Sequence, residues 1–344
     1  MKITRTFLNT ATVGLSLAWL LAPFNPLALA DQVWLQRYGG PGRMNRATAV
    51  AADSAGNVAV TGFSDNTTDD PNNYGFNSSS PYYDALGTAD YYTAKYAAGD
   101  GHLLWEKRYN GPTKGDDVAT DVKMDAAGNV AVTGYSLNAD GNHYFYTAKY
   151  AAADGSLLWE HLGPVWNFNN AKVAFDGSGN IVLTGVHDAA FYTAKYAAAD
   201  GSLLWEQSRT SIRFLPGATW GGPAVDSTGN VIVNGTAIAG DGTKDIYTEK
   251  YAAEDGHVLW AKRYHGPGTL DNNGTAVGVD SAGNVIVTGY FFNTKDERPI
   301  FHYTAKYAAA DGILLWEQQY NQIGASDSAD PSTAIGGGSI VIHQ

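Results

Sequence analysis

The chain has 344 residues, no cysteine and a formal net charge of −12. The lack of cysteine excludes disulfides, thiolate metal ligands and a cysteine nucleophile. The acidic balance argues against nucleic acid and anionic lipid as partners.

The first 30 residues read as a signal peptide. Lys2 and Arg5 form a positive n-region, residues 11–22 form a short apolar core, and Ala28-Leu29-Ala30 fits a small-x-small cleavage site. Such a core is too short for a stable membrane span, and no later segment could cross a bilayer. The sequence therefore predicts an exported protein of residues 31–344, located in the periplasm, at the cell surface or outside the cell. Loss of Lys2 and Arg5 takes its charge from −12 to −14.

Two phrases alternate along the rest of the chain. The first, D-x-x-G-N-[VI], begins at Asp53, Asp125, Asp176, Asp226 and Asp280. The second, Y-T-[AE]-K-Y-A-A-x-D-G-x-x-L-W, ends at Trp105, Trp159, Trp205, Trp260 and Trp316. The Asn residues of the first phrase are 72, 51, 50 and 54 residues apart. Periods near 50 residues are typical of β-propeller blades.

One repeat unit reads as four β-strands. In the first unit, strand a covers 47–53, strand b 56–62, strand c 90–98 and strand d 102–109. Short recurring turns join a to b and c to d, whereas loops of variable length join b to c and d to the next a. In an up-and-down blade, all variable loops therefore lie on one face. The sequence predicts one all-β domain, a β-propeller of about six four-stranded blades.

The recurring Trp and Asp residues are predicted to be structural, since stacked sheets need large flat side chains and tight turns need a carboxylate acceptor. One lysine recurs in every strand c, at Lys95, Lys149, Lys195, Lys250 and Lys306. Five equivalent lysines cannot all be one catalytic lysine. We expect them to pair with acidic neighbours such as the Glu after Trp, or to lie along a blade edge with their ammonium groups in water.

The last blade is incomplete in the sequence. Residues 332–337 and 339–344 match strands a and b, and residues 33–38 match strand d, so the N-terminal strand can close the ring. No strand c exists for this blade. A three-stranded closing blade and a fragment of a larger propeller are both open alternatives.

No familiar catalytic or nucleotide-binding motif occurs, and the histidines lack metal-ligand spacing. We therefore predict no catalytic residue, and place the ligand site on the face that bears the variable loops. The candidates in the d–a loops are Arg43, Arg46, Asp116, Asp117, Trp166, Trp220, His265 and Asp271. The two tryptophans are candidate stacking platforms for a sugar or a peptide. Acidic side chains at the channel mouth are candidate Ca²⁺ ligands, although no spacing supports this specifically.

The phrase D-x-x-G-N-[VI]-x-V-T-G followed by Y-T-A-K-Y resembles the bacterial propeller repeat called the SBBP repeat, over nearly the whole mature chain. The resemblance implies a propeller fold and export. A second resemblance is local: A-A-A-D-G-S-L-L-W-E at 151–160 and its copies is similar to the tryptophan-docking motif of quinoprotein propellers that bind pyrroloquinoline quinone (PQQ), and of related non-enzymatic assembly factors. It implies that Trp159, Trp205, Trp260 and Trp316 lock neighbouring blades together. The quinoproteins usually have eight blades, a vicinal disulfide and a Ca²⁺ site, so this chain is not expected to bind PQQ, and no cofactor is predicted.

Three functions are compatible with the sequence. The first is an exported, monomeric, non-enzymatic propeller that binds a protein or a glycan on the variable face. The second is an enzyme, either quinoprotein-like or glycan-active, that uses carboxylates at the channel mouth. The third is a structural spacer at the cell surface. The sequence favours the first but names no ligand.

Overall fold

The computed structural model describes residues 34–40, 45–65, 89–113, 115–166, 171–187, 190–213, 220–238, 242–267, 271–292 and 300–321. The described residues from Gln36 onward belong to one compact unit. The predicted signal peptide, the candidate Arg43 and the predicted strands at 332–337 and 339–344 lie outside the described residues.

The described part of the chain is all β, and no helix occurs in it. Its twenty strands are β1 (Asn45–Ala52), β2 (Val58–Asp65), β3 (Ala89–Tyr96), β4 (Leu103–Tyr109), β5 (Asp117–Met124), β6 (Val130–Leu137), β7 (His143–Tyr150), β8 (Leu157–Trp166), β9 (Lys172–Phe175), β10 (Ile181–His187), β11 (Ala190–Tyr196), β12 (Leu203–Arg213), β13 (Trp220–Val225), β14 (Val231–Ile238), β15 (Lys244–Tyr251), β16 (Val258–Tyr264), β17 (Asn272–Val279), β18 (Val285–Phe292), β19 (Ile300–Tyr307) and β20 (Leu314–Asn321).

Each run of four consecutive strands forms an antiparallel meander, and we call these sheets 1 to 5 in chain order. Strands β1–β4, β5–β8 and β17–β20 form separate four-stranded sheets. Sheets 3 and 4 are joined by one backbone pair, Arg213 with Ile238. The first strands of successive sheets contact one another, whereas each fourth strand pairs at the other edge of its sheet. This is a propeller-like fold, and it confirms the predicted four-stranded units.

The turn between the first two strands of each sheet is built around an Asp carboxylate. In sheet 1, Asp53 Oδ1 accepts from the backbone N–H of Ala55 at 3.0 Å and of Asn57 at 2.8 Å. Asn57 Nδ2 donates to Asp53 Oδ2, and Asn57 Oδ1 accepts from the N–H of Ala98 in the second turn of the same sheet. Gly56 has φ +83°, which a residue with a Cβ adopts only with strain. The phrase D-x-x-G-N therefore closes one hairpin and ties it to the next.

The repeated tryptophan joins each sheet to the following one. Trp105 Nε1 donates to the carbonyl of Ala152 in sheet 2 at 3.2 Å. Its ring packs on Gly155, where an added Cβ would lie 2.6 Å from Trp105 Cδ2, so only glycine allows this approach. The same donor–acceptor contact recurs for Trp159 with Ala198, Trp205 with Ala253 and Trp260 with Ala309.

The repeated lysine lies in the same junction and pairs with an acidic residue as expected, but that residue is the turn aspartate and not the Glu after Trp. Lys95 is buried, with Nζ 3.4 Å from Asp53 Oδ2 of its own sheet. Its Nζ also donates to the carbonyl of Gly128 in sheet 2 at 2.8 Å. Lys95 stands opposite Trp105 in the strand register, and residues directly opposite in a sheet share one face. The lysine therefore points into the junction, neither to Glu106 nor to water.

The acidic partner of Lys250 is held ionised by its contacts. Burial by itself would raise the pKa of Asp226, but hydrogen bonds from Lys250, Thr228 and Asn230 lower it to about 2. Lys250 Nζ also donates to the carbonyl of Ala309 in sheet 5 at 2.9 Å, the carbonyl that accepts from Trp260. One carbonyl thus receives both the lysine and the tryptophan of the preceding sheet. We call this arrangement the inter-sheet latch.

The latch of sheet 5 has no acceptor sheet among the described residues. The Trp316 residue is 42% exposed, whereas Trp105, Trp159, Trp205 and Trp260 are each 6% exposed. The Lys306 side chain is 24% exposed. Trp316 therefore serves as a reference for the repeated tryptophan where no described junction buries it.

Replacing Trp205 by Phe is expected to lower the free energy of unfolding by about 1–3 kcal/mol. The variant keeps an aromatic ring at this position, but it loses the N–H···O bond and some packing. Urea unfolding followed by far-UV circular dichroism measures this loss. Trp316→Phe is the matched control, with an expected loss below about 0.5 kcal/mol. Equal losses in the two variants would show that the latch does not hold the sheets together.

Candidate functional site

The strand ends that carry the connections of variable length lie at the same end of each sheet, which we call the variable end. The strands of each sheet alternate in direction, so the link from the second strand to the third emerges beside the link from the fourth strand to the next sheet. The described residues at this end form two charged clusters. One lies where sheet 1 meets sheet 2, and the other where sheet 4 meets sheet 5.

A linker motif that the sequence analysis missed shapes this end. The sequence R-Y-x-G-P occurs at 37–41, 108–112 and 263–267. Its tyrosine stacks on a third-strand tyrosine of the following sheet, with ring centroids 3.7 Å apart for Tyr109 on Tyr146 and 3.7 Å for Tyr264 on Tyr303. Tyr38 stacks on Tyr92 at 4.0 Å in the same manner. The threefold recurrence of R-Y-x-G-P was the available signal.

The first cluster contains Asp90, Asp116 and Asp117, and we call it the aspartate cluster. Asp116 Oδ1 accepts from the N–H of Ala89 at 3.2 Å, and Asp117 Oδ2 accepts from the N–H of Gly111 at 2.6 Å. Asp90 Oδ2 lies 3.6 Å from the Arg108 guanidinium. All three carboxyl groups are buried or nearly so.

Burial raises the pKa of Asp117 to about 6. The hydrogen bond from the Gly111 N–H opposes this rise, while the neighbouring Asp90 and Asp116 carboxylates add to it. Asn45 and Asn272 occupy the equivalent position in sheets 1 and 5, where each begins the first strand. Sheet 2 therefore carries an ionisable group where two other sheets carry a neutral amide.

The second cluster contains Asp245, Arg263 and His265, and we call it the arginine–histidine cluster. Asp245 is buried, with Oδ1 2.7 Å from His265 Nδ1 and Oδ2 3.1 Å from the Arg263 guanidinium. The Arg263 guanidinium lies 5.4 Å from the centre of the Tyr247 ring. The His265 and Arg263 side chains are 47% and 37% exposed. A buried carboxylate thus orients two donor groups at the surface.

Lys244 and Asp271 form an ion pair beside this cluster. The side chain of Asn272 donates to the carbonyl of Lys244 at 2.8 Å, and the N–H of Gly266 donates to Asn272 Oδ1 at 3.1 Å. These contacts fix the linker that carries His265. The donors of the cluster are therefore held by both sheets of the junction.

The predicted ligand-binding residues fall into these two places in part. Asp116 and Asp117 lie together at the junction of sheets 1 and 2. His265 and Asp271 lie at the junction of sheets 4 and 5. The partners Asp90, Asp245 and Arg263 were missed, because they lie inside repeated strands, where we expected only structural residues.

Four candidates were assigned to loops but lie in strands, so this placement is wrong; the first is Asp117, which begins β5. Arg46 lies within β1 with an exposed side chain. Trp166 ends β8, where it pairs with His143, and Trp220 begins β13, where it pairs with Gly235. The register of β8 against β7 shifts between Tyr144 and Tyr146, and this irregularity lets the strand continue past the Gly-Pro of the linker. The side chains of both tryptophans lie outside the described residues.

The described residues contain no group of three His, Asp or Glu side chains placed to hold a metal ion. The Ca²⁺ hypothesis therefore gains no ligand set from this part of the chain. In the same part, no helix is both long and apolar enough to cross a membrane.

A C-terminal segment of the chain matches a known family. The model of the family described as outer membrane protein assembly factor BamB matches residues 189–344. The chain therefore resembles the PQQ-like propellers, as the tryptophan motif predicted. No curated protein sequence matches it.

Several solved structures resemble the chain weakly. BamB from Moraxella catarrhalis is 12% identical, with a TM-score of 0.43, covering 79% of this chain and 64% of that one. A quinohemoprotein alcohol dehydrogenase from Pseudomonas putida HK5 is 12% identical, with a TM-score of 0.44, covering 67% of this chain and 48% of that one. A protein of unknown function from Bacteroides caccae is 12% identical, with a TM-score of 0.42, covering 80% and 81%. The chain thus spans less than two thirds of the length of the first two proteins.

Replacing Asp117 by Asn is expected to stabilise the protein at pH 7.5 and not at pH 4. The folded-state pKa of about 6 lies above the ordinary aspartate pKa of 3.8, so ionisation opposes folding increasingly as pH rises from about 4 to about 6. The full difference corresponds to about 3 kcal/mol, and we expect a gain of about 1–3 kcal/mol. Urea unfolding at pH 4, 5, 6 and 7.5 measures it.

Asn272→Asp is the reciprocal control, because it places a carboxyl group at the same position in sheet 5. It should lose stability at pH 7.5, and less at pH 4. A gain for Asp117→Asn that is the same at every pH would show that the charge of Asp117 is not its cause.

Proposed function

We propose that this chain is an exported, non-enzymatic propeller that binds a partner protein through the arginine–histidine cluster at its variable end. The observation that carries the proposal is the buried Asp245 carboxylate, which holds Arg263 and His265 in place with both side chains partly exposed. Two side chains fixed in this way lose little side-chain entropy on binding.

The scaffold supports this role. Four inter-sheet latches fix the relative positions of the five described sheets. Side chains carried by sheets fixed in this way keep their geometry without a ligand, as binding sites on rigid scaffolds do. The donors that Arg263 and His265 present to solvent suit carboxylate or carbonyl acceptors of a partner.

The family description supports a protein as the partner. The family that matches residues 189–344 is described as an outer membrane protein assembly factor. We extend only protein binding and export from that description to this chain. A glycan ligand, an enzyme and a structural spacer are the alternatives that the experiment must separate.

Selection of peptides by the full-length protein tests the proposal. A phage library of random 12-residue peptides is selected on the immobilised protein, and the enriched peptides are synthesised for isothermal titration calorimetry. The double variant Arg263→Ala/His265→Ala should weaken binding by at least about tenfold, equivalent to about 1.4 kcal/mol. Arg108→Ala is the matched control, because Arg108 has the equivalent place in sheet 1, beside Asp90. It should leave the affinity within about twofold.

Each other result identifies a different function. Peptides that bind the double variant and the Arg108→Ala control equally well would show that the binding site lies outside this cluster. No enriched peptide together with signals on a glycan array would replace the protein partner by a sugar. Release of product by the purified protein in a screen of alcohol, ester and glycoside substrates would contradict the non-enzymatic role.

A further inference from the structure

The junction between sheets 3 and 4 is built differently from the junctions that follow sheets 1 and 4. At the junctions that follow sheets 1 and 4, a fourth-strand tyrosine stacks on the next sheet, Tyr109 on Tyr146 and Tyr264 on Tyr303. The equivalent residue of sheet 3 is Arg209, which stands opposite Phe191 as Tyr109 stands opposite Tyr91. The aromatic stack is therefore replaced by a charge.

The partner of that charge is fully buried. The Arg209 guanidinium donates to Glu249 Oε1 of sheet 4 at 2.5 Å, and the Tyr251 hydroxyl donates to Glu249 Oε2 at 2.6 Å. Glu249 is 0% exposed. The positions equivalent to Glu249 in the other sheets are all buried alanines, namely Ala94, Ala148, Ala194 and Ala305. Arginine and glutamate thus replace Tyr and Ala together, on the two sides of one junction.

The other face of sheet 4 also carries its own polar contact. Asn234 stands where the other sheets have threonine, at Thr61, Thr133, Thr184 and Thr288. Its Nδ2 donates to the carbonyl of Ala276 at 2.9 Å and to that of Thr288 at 3.1 Å, both in sheet 5. Sheet 4 is therefore matched to sheet 3 on one side and to sheet 5 on the other.

The repeated sequence makes incorrect packing orders of the sheets possible, and contacts specific to one junction can prevent them. Residues 145–160 and 191–206 are identical, FYTAKYAAADGSLLWE, and every described junction uses the same latch. Packing and latching alone therefore give correct and incorrect sheet orders similar energies. A buried carboxylate that lacks its cation is strongly unfavourable, so sheet 4 tolerates only a neighbour that supplies an arginine at the position of Arg209.

We propose that the Arg209–Glu249 pair is an ordering key, which directs sheet 4 to pack against sheet 3 and penalises its packing against the other sheets. In this role the pair adds specificity more than stability, as buried polar groups do in some other proteins. The key works during folding and does not depend on the proposed ligand site.

A double-mutant cycle separates the key from a purely structural role. Arg209→Tyr leaves Glu249 buried without its cation, and should lower the melting temperature by about 5–10 °C. Arg209→Tyr/Glu249→Ala recreates the tyrosine–alanine junction found after sheets 1 and 4, with Tyr247 available for stacking, and should restore the melting temperature to within about 2 °C.

Refolding is the readout that a merely stabilising pair would not change. Each protein is unfolded in urea and refolded by dilution. Size-exclusion chromatography gives the monomeric fraction, and near-UV circular dichroism of that fraction shows whether it is native. The double variant should refold with at least about a twofold lower native yield than the original chain, at equal stability. An equal yield would overturn the proposal, and so would a single variant Arg209→Tyr as stable as the original chain.

The repeats provide a transplant as a second test. Tyr109→Arg and Ala148→Glu place the same pair at the junction of sheets 1 and 2. Ala148→Glu alone should lower the melting temperature, and the pair should recover most of the loss. Because sheets 2 and 4 then carry interchangeable keys, the native yield after refolding should fall below that of the original chain. An unchanged yield would contradict the ordering role.

Discussion

The rest of the structure depends on how one sheet is attached to the next. In sheets 1 to 4, a lysine and a tryptophan converge on a backbone carbonyl in a turn of the following sheet, as Lys250 and Trp260 converge on Ala309. The lysine is buried, and the first-turn aspartate of its own sheet compensates its charge. Without that carboxylate, the ammonium group would be costly to bury. The turn motif and the junction are thus one device, in which the residue that closes a hairpin also neutralises the cation that joins two sheets.

This attachment leaves one end of the sheets free to vary. The latch engages the stereotyped turns, whose lengths and residues recur, so changes in the other connections do not disturb it. The two charged clusters lie at the free end and use carboxylates in opposite ways. Asp245 contacts both Arg263 and His265, and it serves to orient them. Asp117 has carboxylates among its neighbours, and burial raises its pKa towards neutrality. The role of a carboxylate at this end therefore depends on its neighbours at each junction.

The strands and turns were predictable because the repeat shows them several times. The predicted strands 47–53, 56–62, 90–98 and 102–109 correspond to β1–β4, with ends that differ by three residues or fewer. The repeated lysine was misjudged because its partner was sought nearby in sequence. The strand register places Lys95 beside Trp105 and directs Glu106 to the opposite face, where it accepts from Tyr92. Alternation along the strand contained that information, but it required the pairing of β3 with β4.

By itself, the sequence determined the all-β class, the four-stranded repeat and the separation of stereotyped turns from variable loops, because period and turn chemistry are local properties of the chain. Only the tertiary structure decided which charged groups meet. Asp90 and Asp117 are 27 residues apart, and Arg209 and Glu249 are 40 apart, and each pair belongs to two different sheets. Their proximity follows from the packing of one sheet on the next. Contacts across a sheet junction depend on how the two sheets align in three dimensions. The repeat pattern along the chain does not show that alignment.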